Sequence, residues 1–164
     1  MSFIVHWEDE CFGTENKLML NTPVGYFAIY CRQGVICKTD WILTANPLQA
    51  DCHELNQYWQ NIHLTIPIKL LKQGSPFRNK VWSALCQIPF GETMTYSALA
   101  SKLDSSARAI GNACRDNPYA IFIPCHRVIS ASGMGGYCGQ TDGELMAIKS
   151  KLLDFEAMHK YDEG

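Results

Sequence analysis

With 164 residues, 47% hydrophobic and 18% charged, the chain can bury one good core or two small ones, and it is too apolar for a disordered protein. The formal charge of −2 argues against a uniformly basic nucleic-acid binder. The acidic start, "MSFIVHWEDE", reads against a secretory leader, and no apolar run reaches the roughly 20 residues of a membrane span, so a cytoplasmic protein with no membrane partner is expected.

The first third reads as strands. "FIVHW", "GYFAIY" and "GVICKTDWIL" are rich in β-branched and aromatic residues and are separated by Gly, Asn, Pro and Gln-Gly turns. A helix is expected at "DCHELNQYWQN", where Leu55 and Trp59 stand at i, i+4. "IHLTIPIKLLKQGSPF", with a proline near either end, reads as a linker. The division expected is an α/β N-terminal domain over 1–68, a linker over 69–75 and a mainly α C-terminal domain over 76–164.

Ser75-Pro76 is an N-cap and first-turn pair, and Phe77, Val81, Trp82, Leu85 and Ile88 trace one apolar face behind it. After "PFGETMT" a short helix from Tyr96 to Leu103 turns Leu99, Ala100 and Leu103 inward. "DSS" caps a third helix, "ARAIGNACRDN", which Pro118 stops. Two short helices joined by a tight polar turn are the skeleton of a helix-turn-helix. The third helix is thin: Ala107, Ala109, Gly111, Asn112 and Ala113 carry little side chain, and a helical glycine costs roughly 1 kcal/mol against alanine. Tight packing within the domain explains that; so does close approach of the helix backbone to a groove, with Arg108 and Arg115 as its long basic arms. "YAIFIPCHRVIS" then reads as a strand, followed by the glycine-rich "SASGMGGYCGQTDGE". A final helix, "LMAIKSKLLDFEAMHK", puts Leu145, Ile148, Leu152 and Phe155 on one stripe with Glu156 at its margin.

The charge is unevenly spread. Between Lys69 and Arg127 there are eight lysines and arginines against three acids, whereas both flanks are acidic, a modest footprint for a phosphate backbone. None of the eight cysteines forms a CxxC pair, so they read mostly as small buried hydrophobes. Nothing in the spacing supports a zinc site from Cys11, Cys52, His53 or His63, and no metal or cofactor is expected. Cys125 differs from the rest: within "IPCHRV" it stands directly before a base, His126, and a permanent cation, Arg127. A free thiol near pKa 8.5 is only a few per cent ionised at neutral pH, so a reactive one needs a base and a group to orient that base. His126, through a water where the extended chain turns the two side chains apart, and Glu156 suit those two places.

"IPCHRV", "FGETMTY", "ARAIGNACRDNP" and "GYCG…LLDFE", in that order from about Pro76 to Glu156, resemble the C-terminal domain of the O6-alkylguanine-DNA alkyltransferases, the methylated-DNA–protein-cysteine methyltransferases. The resemblance implies a small ribonuclease-H-like sheet-and-helix domain followed by a helix-turn-helix, winged-helix-like domain. It implies stoichiometric, irreversible transfer of an alkyl group from guanine O6 in double-stranded DNA to Cys125, with O4-alkylthymine as a further candidate substrate. His126 would be the base, Glu156 its orienter, and Tyr96 a hydrogen-bond donor to the departing guanine. Arg108 would fill the stack left by the flipped nucleotide. Ala107, Gly111, Asn112, Arg115 and Arg127 would join it at a minor-groove interface. Asn117 would brace the turn between recognition helix and nucleophile, Tyr137 would belong to the pocket, and backbone groups near Val128 and Cys138 would read the guanine edges. The expected state is a monomer able to cluster on DNA.

Two departures stand out. "QTDGEL" lengthens the link to the last helix by about five residues and would reshape the lid of the alkyl pocket. Cys138 occupies a place usually held by a small residue; it reads as a buried, serine-sized filler, with an oxidative partnership to Cys125 as the alternative. Three other functions compete: a Cys-His hydrolase, a damage-binding module without transfer, and a winged-helix regulator, which leaves the Cys-His-Arg run unexplained.

Overall fold

The computed structural model describes residues 2–43, 57 and 59–161. The chain divides into two compact units, 1–73 and 74–163.

The first unit is built on a five-stranded sheet. Its strands are β1 (Ser2–Glu8), β2 (Asn16–Thr22), β3 (Gly25–Arg32), β4 (Val35–Ile42) and β5 (Thr65–Leu71), in the order β1-β5-β4-β3-β2. β2, β3 and β4 form an antiparallel meander, and β5 runs parallel to both β4 and β1. The β3–β4 turn is a two-residue loop with Gln33 and Gly34 at φ 48° and 81°, the double left-handed geometry that follows the twist of a hairpin. Phe27, Ala28, Ile29 and Leu70 are fully buried, with the Phe27 and Trp41 rings 4.8 Å apart.

β2 carries no strong signal in the sequence, and β5 falls where a linker is expected. In β5, Ile68 and Leu70 are buried while Thr65, Pro67 and Lys69 are exposed, so a period of two overrides the proline. Pro67 is tolerated because β4 pairs only with Lys69 and Leu70; opposite Pro67 the strand has β1 alone as partner and behaves as an edge. Gln57, Trp59 and Gln60 are helical and Asn61 is not; the rest of the helix expected over 51–61 lies outside the described residues.

The second unit contains α1 (Pro76–Leu85), β6 (Met94–Thr95), α2 (Tyr96–Lys102), α3 (Ala107–Arg115), β7 (Val128–Ile129) and α4 (Glu144–His159). The first three helices start on hydroxyl caps: Ser75 accepts from Arg78 N, Thr95 from Ala98 N and Ser106 from Ala109 N. Val81, Trp82 and Leu85 of α1 are buried, and the Trp82 indole donates to Ala113 O at 2.9 Å, tying α1 to α3. Phe77 departs from the expected face and is 37% exposed, because the first turn of α1 reaches past the core and lays the ring over a surface cleft shared with Ala109 and Asn112.

The run 119–127 is no strand. Ile121 is forced to φ 72°, an outlier for a β-branched residue, and Ile123 N bonds back to Tyr119 O while Cys125 N bonds to Ile123 O. A 3-10 turn over Cys125–Arg127 follows, and only then does β7 pair in parallel with β6, Met94 opposite Val128 and Thr95 opposite Ile129. That short ladder sets the start of α2 beside the chain leaving Cys125.

Candidate active site

The turn at 119–127 decides the site. Extended chain would send Cys125 and His126 to opposite faces, but the 3-10 turn rotates both inward, leaving them 5% and 2% exposed. Asn117 holds the turn from inside: its amide donates to Ile123 O at 3.0 Å and its oxygen accepts from Tyr119 N at 3.0 Å. The same side chain is placed to hydrogen-bond the sulfur. Burial pushes the Cys125 thiol above its ordinary pKa, and Asn117 and the charge of Lys149 only partly offset this. The resting group is therefore a neutral thiol.

His126 is oriented from behind. Its Nε2 lies 2.8 Å from Glu156 Oε1. Burial is the main influence on the ring and pushes its pKa down, against the pull of Glu156. Burial would raise the Glu156 carboxyl, but the hydrogen bonds and charges of His126 and Arg127 bring it to about 2. An ionised carboxylate can only accept, so Nε2 carries the proton and Nδ1 presents a lone pair. Nδ1 is buried and has no protein hydrogen-bond partner among the described residues. The arrangement is a neutral thiol beside a neutral imidazole whose basic nitrogen is free.

Arg127, expected among the DNA contacts, is instead 7% exposed and turned inward. Its Nε and Nη2 donate to Glu156 at 2.8 to 3.1 Å, its Nη1 donates to Ile88 O at 2.8 Å, and the guanidinium lies 5.8 Å from the Phe90 ring centroid. A carboxylate this deep needs a cation, and the adjacent arginine is the one in reach. Glu156 is thus no solvated helix edge: it is 5% exposed and also accepts from Gly91 N at 3.3 Å.

Lys149 was not singled out by sequence reasoning, and it is the most deeply buried cation described, at 0% exposure. Its ammonium donates to Val128 O, Met134 O and Gly136 O at 2.7, 2.7 and 2.8 Å, pinning the glycine-rich loop to β7. Burial lowers its pKa. The signal was present: Leu145, Lys149, Leu152 and Glu156 follow i, i+4, i+7, i+11, so a lysine stands on the apolar stripe of α4.

A cavity of about 450 Å³ opens over Cys125. Tyr96, Ala107, Gly111, Cys114 and Tyr137 contribute to its wall, and Gln140 and Thr141 of the extended loop also line it. The Tyr96 hydroxyl donates to Gly136 O at 3.4 Å, and burial raises its pKa to about 12, so it is a donor at any physiological pH. Gly111 explains the thinness of α3: an added Cβ meets nothing within 4 Å, so packing inside the unit does not require the glycine. Arg108 and Asn112 are exposed, and Arg115 is exposed beside Asp116, 3.2 Å from its Nε.

Cys138 is exposed, not a buried filler. It and Gly139 sit at φ 49° and 82° in a two-residue turn closed by paired bonds between Tyr137 and Gln140 at 2.8 and 2.9 Å, which puts the cysteine on the outer corner. Val128 is less available for base reading than expected: its N–H bonds Cys125 O and its carbonyl accepts from Lys149.

Gly135 sits at φ 74°, and a Cβ there would lie 2.7 Å from Tyr96 Cε2. Gly135→Ala is therefore expected to displace the tyrosine ring and strain the loop, cutting any cavity-dependent reaction of Cys125 by roughly 10–100-fold while costing about 1–3 kcal/mol of stability. Single-turnover kinetics and a denaturant melt on the same variant check this.

Comparison with known proteins gives the chain a family. The family model described as "6-O-methylguanine DNA methyltransferase, DNA binding domain" matches residues 76–158. A methylated-DNA–protein-cysteine methyltransferase of Methanosarcina mazei is 39% identical over 120 residues, covering 71% of this chain and 73% of the relative. One from Mycolicibacterium paratuberculosis is 38% identical over 155 residues, covering 85% and 91%. Among solved structures, the O6-methylguanine methyltransferase of Mycobacterium tuberculosis superposes with a TM-score of 0.72 at 28% identity, over 88% of this chain and 94% of that one. The Mycobacterium tuberculosis OGT in complex with DNA gives 0.70 at 28%, over 87% and 93%. A helical domain matched to a DNA-binding methyltransferase model, in a chain whose relatives are cysteine methyltransferases, defines a DNA-directed transferase. The chain belongs to the methylated-DNA–protein-cysteine methyltransferase family.

Proposed function

We propose that the protein reverses alkylation damage by moving an alkyl group from guanine O6 in DNA to Cys125, once per molecule. His126 Nδ1 takes the thiol proton, directly or through one water, as sulfur attacks the alkyl carbon. The carbon–oxygen bond breaks and the electron pair leaves on the guanine, which Tyr96 steadies by donating a hydrogen bond and which takes back, through water, the proton held on His126. Attack at an sp³ carbon suits a soft sulfur nucleophile, and the thioether product has no group beside it able to cleave it. The observation that carries this reading is the buried His126, held through Nε2 by Glu156 and free at Nδ1, next to a thiol that opens on a cavity. The test is intact-protein mass spectrometry and peptide mapping after mixing with a duplex containing one O6-methylguanine. One methyl on Cys125, saturating at one per protein, is expected; tight binding with no mass change would replace transfer by damage sensing.

The DNA partner is approached with α2 and α3 acting as a helix-turn-helix, and β6 and β7 giving a winged-helix-like frame. We assign the thin face of α3, Ala107, Gly111 and Asn112, to the minor groove, with Arg108 entering the duplex in place of a flipped nucleotide. Arg115 lies at the groove side of the same helix. The mixed sheet of the first unit is consistent with a ribonuclease-H-like layout. The protein would act as a cytoplasmic monomer that can cluster on DNA, with O4-alkylthymine as a second substrate to be tried. Arg108→Ala is expected to slow repair of duplex DNA by 10-fold or more, on the order of the few kcal/mol that extrusion costs. Its reaction with a free alkylated base should be unchanged. Equal loss on both substrates would remove the flipping role.

A further inference from the structure

The loop between β1 and β2 carries a feature that alkyl transfer does not use. Cys11 Sγ lies 3.3 Å from Cys37 Sγ on β4, though the two are 26 residues apart. Around this contact the loop is fitted to the β3–β4 hairpin. The Gly13 backbone lies against Gln33, whose Cγ and Nε2 would be 3.1 Å from an added Cβ, and Glu15 pairs with Arg32 at 3.8 Å. Residues 11, 13 and 15 thus each meet the hairpin in turn.

The thiols are neither core fillers nor fully exposed; both are half-buried. Among the described residues no third cysteine, histidine or carboxylate joins them to make a metal cluster. Two sulfurs inside van der Waals contact, one on an irregular loop and one on a strand, need close only to about 2.05 Å to bond.

We propose that Cys11 and Cys37 form a reversible dithiol–disulfide couple, oxidised by hydrogen peroxide. Cys37 is suited to the resolving role: its S–H is aimed at Val35 O at 3.4 Å, and burial together with the Cys11 hydrogen bond pushes its pKa up to about 11. With the Cys37 thiol engaged at Val35 O, the first attack is assigned to Cys11, the thiol on the loop. The Cys11 sulfur attacks one peroxide oxygen, the O–O bond breaks, and the departing hydroxide takes the Cys11 proton as water, giving a sulfenic acid. The Cys37 sulfur then attacks the sulfenic sulfur, and the Cys37 proton leaves with the hydroxyl as water. The two sulfurs lose one electron each and the peroxide becomes two waters; a dithiol reductant reverses the change. The charge of Arg32 acts on Cys37 in the direction that favours a thiolate, and the Arg32 Nε is buried with no acceptor among the described residues. The bridge would close a long loop and staple the β1–β2 connection to the sheet.

The test treats the full-length protein with hydrogen peroxide, blocks remaining thiols and digests under non-reducing conditions. A linked peptide joining Cys11 to Cys37, lighter by two hydrogens and split by dithiothreitol, is expected, with both thiols lost in equal proportion. In Cys37→Ser the bridge should vanish and dimedone should capture a sulfenic acid on Cys11. A bridge from Cys11 to Cys31 or any other cysteine, sulfinic acid on Cys11 in the intact chain, or two thiols that stay alkylatable would each overturn the proposal. The couple is read independently of DNA repair.

Discussion

Glu156→Gln is expected to slow methyl transfer by roughly 10²–10⁴-fold, the range seen when the group orienting a catalytic histidine is lost. A glutamine amide can donate to Nε2 as readily as it accepts, so the ring is free to take the other tautomer, with its proton on Nδ1 and no lone pair toward the thiol. The same change strips Arg127 of its counter-charge. A guanidinium left buried with only Ile88 O and a neutral amide costs about 3–5 kcal/mol. Stability against pH separates the two effects. The Glu156 carboxyl is held at about 2 against an ordinary 4.5, so its contribution is complete above pH 4.5 and is lost as pH falls toward 2. That gap is worth roughly 3 kcal/mol. Denaturant melts of the parent protein should weaken across this window, and those of Glu156→Gln should not carry that part of the slope. A variant with full transfer rate and an unchanged acid limb would make Glu156 a bystander.

The rate itself should be nearly flat with pH through neutrality. Both partners in the proton transfer rest neutral, the thiol raised by burial and the imidazole lowered by it, so neither titrates near pH 7. In the proposed mechanism, activation is the placement of a base, not a standing thiolate.

Where side chains act through local spacing, the sequence was a good guide. Ser75-Pro76 and Ser106 mark helix starts because a hydroxyl before an apolar-periodic run has a backbone N–H to satisfy. Cys125 and His126 stood out because a thiol needs a base, and Glu156 followed because a base needs orienting. What escaped was decided by contacts distant in sequence. Pro67 hid β5 because only the pairing with β1 and the brief contact with β4 make that proline harmless. The apolar run before Cys125 imitates a strand, yet bonds such as Ile123 N to Tyr119 O fold it into turns. Arg127 looks like a DNA contact until Glu156, 29 residues away, is seen to need it. Cys138 looks like a core filler until the φ of its turn places it outside. Each error assigned an environment from local sequence where a non-local contact sets it.

Lys149→Met is the severest substitution the site should admit short of removing the nucleophile. Methionine keeps the length and apolar stem of lysine but has no donor, so the carbonyls of Val128, Met134 and Gly136 lose a partner together in a buried place. At about 1–3 kcal/mol for each buried group left unmade, the loss is comparable to the whole stability of a small domain. The loop 134–136 would come away from β7, taking with it the Gly136 carbonyl that receives the Tyr96 hydroxyl. The electrostatic part is separate: the ammonium lowers the Cys125 pKa, so removing it raises the thiol further. In variant protein that remains folded, alkylation of Cys125 by iodoacetamide should move to higher pH, and methyl transfer should fall more than that shift alone explains. Lys149→Arg tests the geometry, since a planar guanidinium keeps the charge but cannot direct three donors from one nitrogen to three converging carbonyls. It should hold the thiol's pH profile near that of the parent while losing stability. Were Lys149→Met as stable and reactive as the parent, the three carbonyls would have to find other donors, and the lysine would be a passenger on an apolar face.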